Sequence, residues 1–151
     1  MRWKAELSQI VKAQQDVSAS RLRFDEPLDK HLYFGIGGLA AAYFEVATAE
    51  ELAAVVSLKK RCNLQVATIG RGSNLLVSDD GYEGIVLRLV GQFDCLDFDE
   101  ERVWAGGGVS LPRLSKASAR HGLGGVEFAL GIPGSVGGAL IMNAGAWGCS
   151  F

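Results

Sequence analysis

Apolar residues at Trp3, Leu7, Ile10 and Val11, spaced by Lys, Glu and Gln, predict an amphipathic helix from Trp3 to about Gln15. Val17 to Lys30 is mixed and charged, ends Asp-Glu-Pro-Leu-Asp-Lys, and reads as a connection. Tyr43-Phe-Glu-Val-Ala47 is a strand candidate. Thr48-Ala-Glu-Glu51 then forms a capping box that opens a helix, with Leu52, Val55, Val56 and Lys59 continuing its spacing. Asn63 can close that helix in the left-handed region, and the apolar run Leu64 to Ile69 follows as a buried strand. Tyr43 to Ile69 is therefore expected to be one compact β-α-β unit.

Leu75 to Val77 and Gly84 to Leu89 read as two short strands across the turn Ser-Asp-Asp-Gly-Tyr-Glu. Phe93 to Phe98 and Arg102 to Ala105 flank Asp99-Glu-Glu, a hairpin that would start a second subdomain. Alternation puts Phe93, Cys95 and Asp97 on one face and Asp94, Leu96 and Phe98 on the other, which leaves the register open. Gly106 to Gly108 allows a sharp turn. Ser110 can cap a helix with Pro112 in its first turn and Gly122 after His121, burying Leu111, Leu114 and Ala117.

With 151 residues, 48% hydrophobic and 21% charged, the chain has an ordinary globular composition and can bury roughly 70% of its unfolded surface. A net charge of −2 offers no basic field for nucleic acid or an anionic membrane. The charged start Met-Arg-Trp-Lys-Ala-Glu leads into no signal-like apolar core, and no run approaches the ~20 apolar residues of a membrane span. Cys62, Cys95 and Cys149 are odd in number and widely spaced, which points to neither a disulfide framework nor a zinc site and fits a reducing cytoplasm. His31 and His121 stand apart from any metal-ligand spacing, so structural or surface roles are expected and no metal residue is named.

Two stretches carry chemistry. Ile69-Gly70-Arg71-Gly72-Ser73-Asn74-Leu75 follows a strand and forms a backbone nest, in which successive amides face one concavity and bind phosphate oxygens. The Ser73 hydroxyl is a further donor and Arg71 adds charge. The strand's carboxyl end is where open α/β sheets place ligands. Two familiar phosphate motifs are absent, since Leu75 stands where the dinucleotide fingerprint needs glycine and Gly-Lys-Ser/Thr occurs nowhere. Leu130 to Gly148 has six glycines among nineteen residues, with Ser135 and Asn143 its polar members. Such a stretch, buried and uncharged, suits a flat or anionic ligand held by main-chain amides, or else a tightly packed glycine loop in a β-rich core.

These two stretches, in this order and about sixty residues apart, resemble the FAD-binding half of the UDP-N-acetylenolpyruvoylglucosamine reductase family. His31-Leu-Tyr-Phe-Gly-Ile-Gly-Gly-Leu-Ala40 resembles that family's leading motif, with Leu32 in place of the usual Thr and Leu39 in place of a common Pro. The resemblance covers about Asp29 to Phe151. It implies an α+β fold of the PCMH type, shared with vanillyl-alcohol oxidase, built of two α+β subdomains with the second incomplete. On that basis residues 1–28 are an amino-terminal helix and connection, 29–91 the first FAD-binding subdomain and 92–151 the second, truncated one.

The same resemblance implies a flavoprotein reductase that uses NADPH and FAD to reduce UDP-N-acetylglucosamine enolpyruvate to UDP-N-acetylmuramate, in peptidoglycan precursor synthesis. It implies a cytoplasmic monomer whose partners are NADPH and a UDP-sugar. The cofactor-binding residues it points to are Ile69, Gly70, Arg71, Gly72, Ser73, Asn74, Leu75, Ile132, Pro133, Gly134, Gly137, Gly138, Asn143, Gly145 and Ala146, with Ile132 to Trp147 supplying an apolar wall for the isoalloxazine. The family's Arg, Ser and Glu that act on the substrate would lie after Phe151, so no catalytic residue is named and 1–151 alone is expected to be inactive. Another PCMH-type FAD oxidoreductase and a non-catalytic flavin-binding module remain as alternatives.

Overall fold

The computed structural model describes residues 2–12 and 21–151. Its larger sheet has four strands in the order β1-β2-β4-β3: β1 (Leu22–Pro27), β2 (Leu39–Val46), β3 (Val66–Ile69) and β4 (Tyr82–Leu89). β1 runs antiparallel to β2, whereas β4 lies between β2 and β3 and is parallel to both. The expected unit from Tyr43 to Ile69 thus forms without its two strands touching. The space between them is filled by β4, whose Ile85, Val86 and Leu87 are buried on both faces, as a central parallel strand requires.

Two helices cover one face. α1 (Arg2–Lys12) presents Leu7 and Val11, and α2 (Ala49–Cys62) presents Val55 and Leu58, to Ala42, Phe44 and Val46 of β2 and to Ile85 and Leu87 of β4. The continuation of α1 expected as far as Gln15 lies outside the described residues. Tyr43, Ile69 and Val86 pack on the other face with Leu28, Leu32 and Ala40. Ala40 and Tyr43 share that face because the β2–β4 register slips between Ala40 and Ala42, which shifts the alternation by one residue.

The signals around α2 are met atom by atom. Thr48 Oγ1 accepts from the Glu51 amide at 3.2 Å, Glu51 Oε2 accepts from the Thr48 amide at 3.3 Å, and Asn63 ends the helix at φ 48°. Glu51 is fully buried and grips Arg21 with both carboxylate oxygens, at 2.6 and 3.1 Å, while Oε2 also accepts from the Ala47 amide at 2.7 Å. Burial alone raises the Glu51 pKa, but Arg21 and the two amides outweigh it and hold the carboxyl below its ordinary value.

Beyond β4, a short 3-10 turn (Gly91–Asp94) leads to the hairpin β5 (Leu96–Phe98) and β6 (Val103–Ala105), then α3 (Leu111–Arg120), a second 3-10 turn (Glu127–Gly131), α4 (Val136–Met142) and the small hairpin β7 (Gly145–Ala146) and β8 (Cys149–Ser150). Val109, Leu111, Leu114, Ala129, Val136 and Ala139 form a separate core here. The α+β class expected from the sequence describes the whole.

Four local expectations are corrected. Residues 22–27 are not connection but an edge strand, satisfied by pairing Leu22 with Phe44 and Pro27 with Leu39. Leu75 to Val77 is a loop in which Leu76 is exposed, because β3 has already ended at Ile69 and takes β4 as its neighbour. The buried stripe of α3 is Leu111, Leu114, Ser115 and Ser118, with Ala117 only half-buried, and Ser110 makes no side-chain cap bond. The stretch from Leu130 to Gly148 is not buried throughout: it folds into α4 and β7, leaving Leu140, Ile141, Met142 and Trp147 exposed.

Candidate functional site

The loop after β3 and the loop before α4 are joined by one side chain. The Ser73 hydroxyl donates to the Pro133 carbonyl at 2.7 Å, across sixty residues of sequence. A Cβ on Gly70 would overlap the Ser135 hydroxyl, so the two loops also touch at Gly70 and Ser135. The second loop is fixed in turn to the residues before α3. Val136 donates to Val109 at 2.9 Å, Gly137 to Gly107 at 2.9 Å, and Leu111 to Gly134 at 3.1 Å.

A cavity of about 430 Å³ opens along this junction. Residues 70–75 form one wall; Ile132, Pro133, Gly134, Gly138 and Gly145 form the other. Among the residues expected from sequence, Ile69, Gly137, Asn143 and Ala146 are not on these walls. Ile69 is buried in the sheet's packing and Gly137 borders a smaller neighbouring cavity of about 160 Å³. Asn143 caps α4 in the left-handed region at φ 46°, and Ala146 pairs with Cys149 in the β7–β8 hairpin. The walls add Thr68, Leu111, Ser135, Ala139, Ile141, Met142 and Ala144. Of these, Ser135 carries a legible signal, since it caps α4 by accepting from the Gly138 amide at 3.3 Å. Leu111 comes from a remote helix and carries none.

The donor set fits a diphosphate. Among the described residues, the backbone amides of residues 70–74 make no hydrogen bond within the chain, and these residues line the cavity, which leaves their donors for a ligand. Arg71 is exposed on the same wall and engages no carboxylate among the described residues. Ser73 departs from its expected role as a phosphate donor, because its single hydroxyl hydrogen is directed to Pro133 and leaves only lone pairs for a ligand. Gly72 sits at φ +66°, and a Cβ there would overlap the His31 carbonyl oxygen rather than fill the cavity. The Tyr33 amide meanwhile donates to the Gly72 carbonyl at 2.9 Å, so Gly72 is held by the turn at 31–33.

The opposite part of the cavity is apolar, lined by Leu111, Ile132, Ala139, Ile141, Met142 and Ala144. Trp147 itself is 91% exposed at φ +58° in the β7–β8 turn and does not line the cavity. Among the described residues no group of three His, Cys, Asp or Glu could hold a metal ion. His31 is stacked on Tyr43 and bonded to Glu26 at 2.9 Å, and His121 is stacked on Phe98, so both serve packing.

The family described as FAD binding domain matches residues 40–151. UDP-N-acetylenolpyruvoylglucosamine reductase 2 of Symbiobacterium thermophilum is 49% identical over 128 residues, covering 85% of this chain and 42% of that protein. The UDP-N-acetylenolpyruvoylglucosamine reductase of Bacillus subtilis strain 168 is 38% identical over 142 residues, covering 94% and 47%. Among solved structures, UDP-N-acetylenolpyruvylglucosamine reductase from Thermus caldophilus superimposes with a TM-score of 0.68 at 39% identity, over 85% of this chain and 44% of that one. Alkyldihydroxyacetonephosphate synthase gives a TM-score of 0.65 at 17% identity, over 91% of this chain and 29% of that one, which is a likeness of fold. The chain spans a little under half the length of the curated relatives it matches.

Proposed function

Since the chain belongs to the FAD binding domain family, we propose that it holds the FAD of a UDP-N-acetylenolpyruvoylglucosamine reductase and is the flavin-binding portion of that enzyme. The observation that carries this is the junction at Ser73 and Pro133, where a row of unsatisfied amides and an apolar wall meet in one cavity. The identity of 38 to 49% to reductases of that name supports the particular reaction. When bound, the flavin would supply hydride chemistry, passing reducing equivalents from NADPH to a carbon-carbon double bond of the enolpyruvyl UDP-sugar.

This chain's own residues would bind and orient the cofactor. The amides of Gly70 to Asn74 take the diphosphate oxygens, with Arg71 adding charge at the rim. Ile132, Pro133, Gly134, Gly138 and Gly145 bound the other wall, and Ile141 and Met142 shield one side of the ring from water. Ile69, Gly137, Asn143 and Ala146 would act from behind these walls by fixing the sheet end, α4 and β7. Two subdomains divide near residue 91, with the cofactor between the four-stranded sheet and the core around α3. None of the described residues is assigned to substrate protonation, which a reduction beside a carboxylate needs. We place the enzyme in the cytoplasm as a monomer with NADPH and a UDP-sugar as its small-molecule partners, in peptidoglycan precursor synthesis.

The test is to release the cofactor from purified protein by heat and weigh it by mass spectrometry, with turnover of UDP-N-acetylglucosamine enolpyruvate by NADPH assayed in parallel for residues 1–151 and for its whole coding frame. FAD with turnover confined to the longer protein is expected. FMN alone would remove the diphosphate assignment, and FAD with another acceptor would favour a different oxidoreductase of the same fold.

A further inference from the structure

A third cavity, of about 200 Å³, shares Gly70 and Arg71 with the proposed flavin site and is otherwise bounded by residues 30–33, Tyr43 of β2, Ile69 of β3 and Arg88 of β4. Lys30, His31, Tyr33, Tyr43, Arg71 and Arg88 line it. Among the described residues Lys30, Arg71 and Arg88 form no ion pair, no carboxylate lines the cavity, and Glu26 and Glu45 of β1 and β2 are both taken by other partners. Glu26 is held by Arg23 at 3.2 Å and by His31 at 2.9 Å, and Glu45 by Arg23 at 3.4 Å. The lining therefore carries cations in excess.

Tyr43 supplies a second, independent sign. It is 0% exposed and stacked against His31 at 4.0 Å between ring centroids, and its hydroxyl hydrogen has no acceptor, since its polar neighbour Arg88 can only donate to the hydroxyl oxygen. Burial raises its pKa most, while Arg88 beside it acts in the opposite direction. Arg88 offers only donors, so it cannot receive the tyrosine's proton. A buried hydroxyl hydrogen, a guanidinium and an ammonium facing one small polar space all lack the same thing, an acceptor with negative charge.

We propose that this cavity is a second oxyanion site, separate from the flavin diphosphate, that takes a phosphate group between Arg88, Lys30 and Arg71 and accepts the Tyr43 hydroxyl hydrogen bond. Arg71 stands between the two sites and faces both.

The experiment is calorimetric titration of the purified protein with inorganic phosphate, at constant ionic strength and in the presence of saturating FAD, together with melting curves in chloride and in phosphate. Lys30→Gln and Arg88→Gln should each weaken phosphate on the order of tenfold, as loss of a charge-assisted hydrogen bond does, while Arg61→Gln, remote on α2 and paired with Glu6, leaves it unchanged. Tyr43→Phe removes an unsatisfied donor, so it should melt above the parent in chloride and lose that advantage in phosphate. An equal Tyr43→Phe shift in both buffers, or phosphate affinity unchanged in both Lys30→Gln and Arg88→Gln, would overturn the proposal. So would competition between phosphate and FAD, because the anion would then belong to the flavin's own diphosphate position. Flavin absorbance is read separately, so loss of phosphate binding with FAD retained is distinguishable from failure of the cofactor assignment.

Discussion

Ser73 and Pro133, sixty residues apart, are held together by a hydroxyl-to-carbonyl hydrogen bond of 2.7 Å, and the cavity wall changes from amide donors to apolar side chains at that bond. Ser73→Ala would remove the hydrogen bond between the two loops and leave their contact at Gly70 and Ser135 in place. One hydrogen bond is worth about 1 kcal/mol net, so FAD affinity should fall roughly threefold to tenfold while the melting temperature moves little. Fluorescence titration of FAD against both proteins measures it. An unchanged affinity would show that the loops are positioned without this tether.

Gly72→Ala is expected to act on folding before it acts on the cofactor. The left-handed backbone costs a non-glycine residue about 1 kcal/mol or more, and the added Cβ meets the His31 carbonyl. The variant should therefore unfold at lower temperature even in FAD-free buffer, as checked by circular dichroism. Gly72→Val should be worse. Arg71→Ala, by contrast, should keep the parent's melting temperature and lose FAD affinity to an extent that shrinks as salt rises, because its guanidinium is exposed at the rim.

The Arg21–Glu51 pair makes stability depend on acid. The Glu51 carboxyl is held below its ordinary pKa in the folded chain, so its contribution is fully present above the unfolded value of about 4.3 and is lost as pH falls through the lower folded value. Glu51→Gln should remove that part of the acid dependence. At neutral pH it leaves Arg21 facing an uncharged partner and withdraws an acceptor from the Ala47 and Thr48 amides, a loss of roughly 3 kcal/mol. Urea unfolding of both proteins at several pH values tests both statements.

Ile141 is 85% exposed although it lines the cavity, and Leu140 and Met142 are exposed beside it. Ile141→Ser should make flavin-free protein less prone to aggregate and also lower FAD affinity, since the same side chain is exposed without the ring and covered with it. Light scattering with and without FAD separates the two effects. If FAD gives the parent no protection from aggregation, the ring does not cover this surface.

Sequence carried those features whose causes are local. The capping box of Thr48 and Glu51, the left-handed Asn63 and the β5–β6 hairpin depend on residues a few places apart and are found where the pattern put them, except that Phe93 and Asp94, expected in the first strand, belong to the 3-10 turn before it. β1 was illegible because Leu-Arg-Phe-Asp-Glu-Pro has the look of a charged linker and becomes a strand through its pairing with β2. The apolar run Leu75 to Val77 had strand composition but found no neighbour in the sheet. At the site, the glycine-rich loops were legible through their composition. Leu111 and the commitment of Ser73 to Pro133 were not, since both arise where distant segments meet.

The sheet order also sets a sequence of events during synthesis. β3 has β4 as its ladder neighbour, so it stays unpaired while the chain emerges until residues 82–89 slide into the slot beside β2. With neighbouring strands about 4.8 Å apart, β2 and β3 lie roughly two strand spacings apart in the finished sheet, bridged only by β4. The amide nest that follows Ile69 hangs from that waiting strand. Its place in the finished molecule is therefore held through β4, the strand that follows it in the chain.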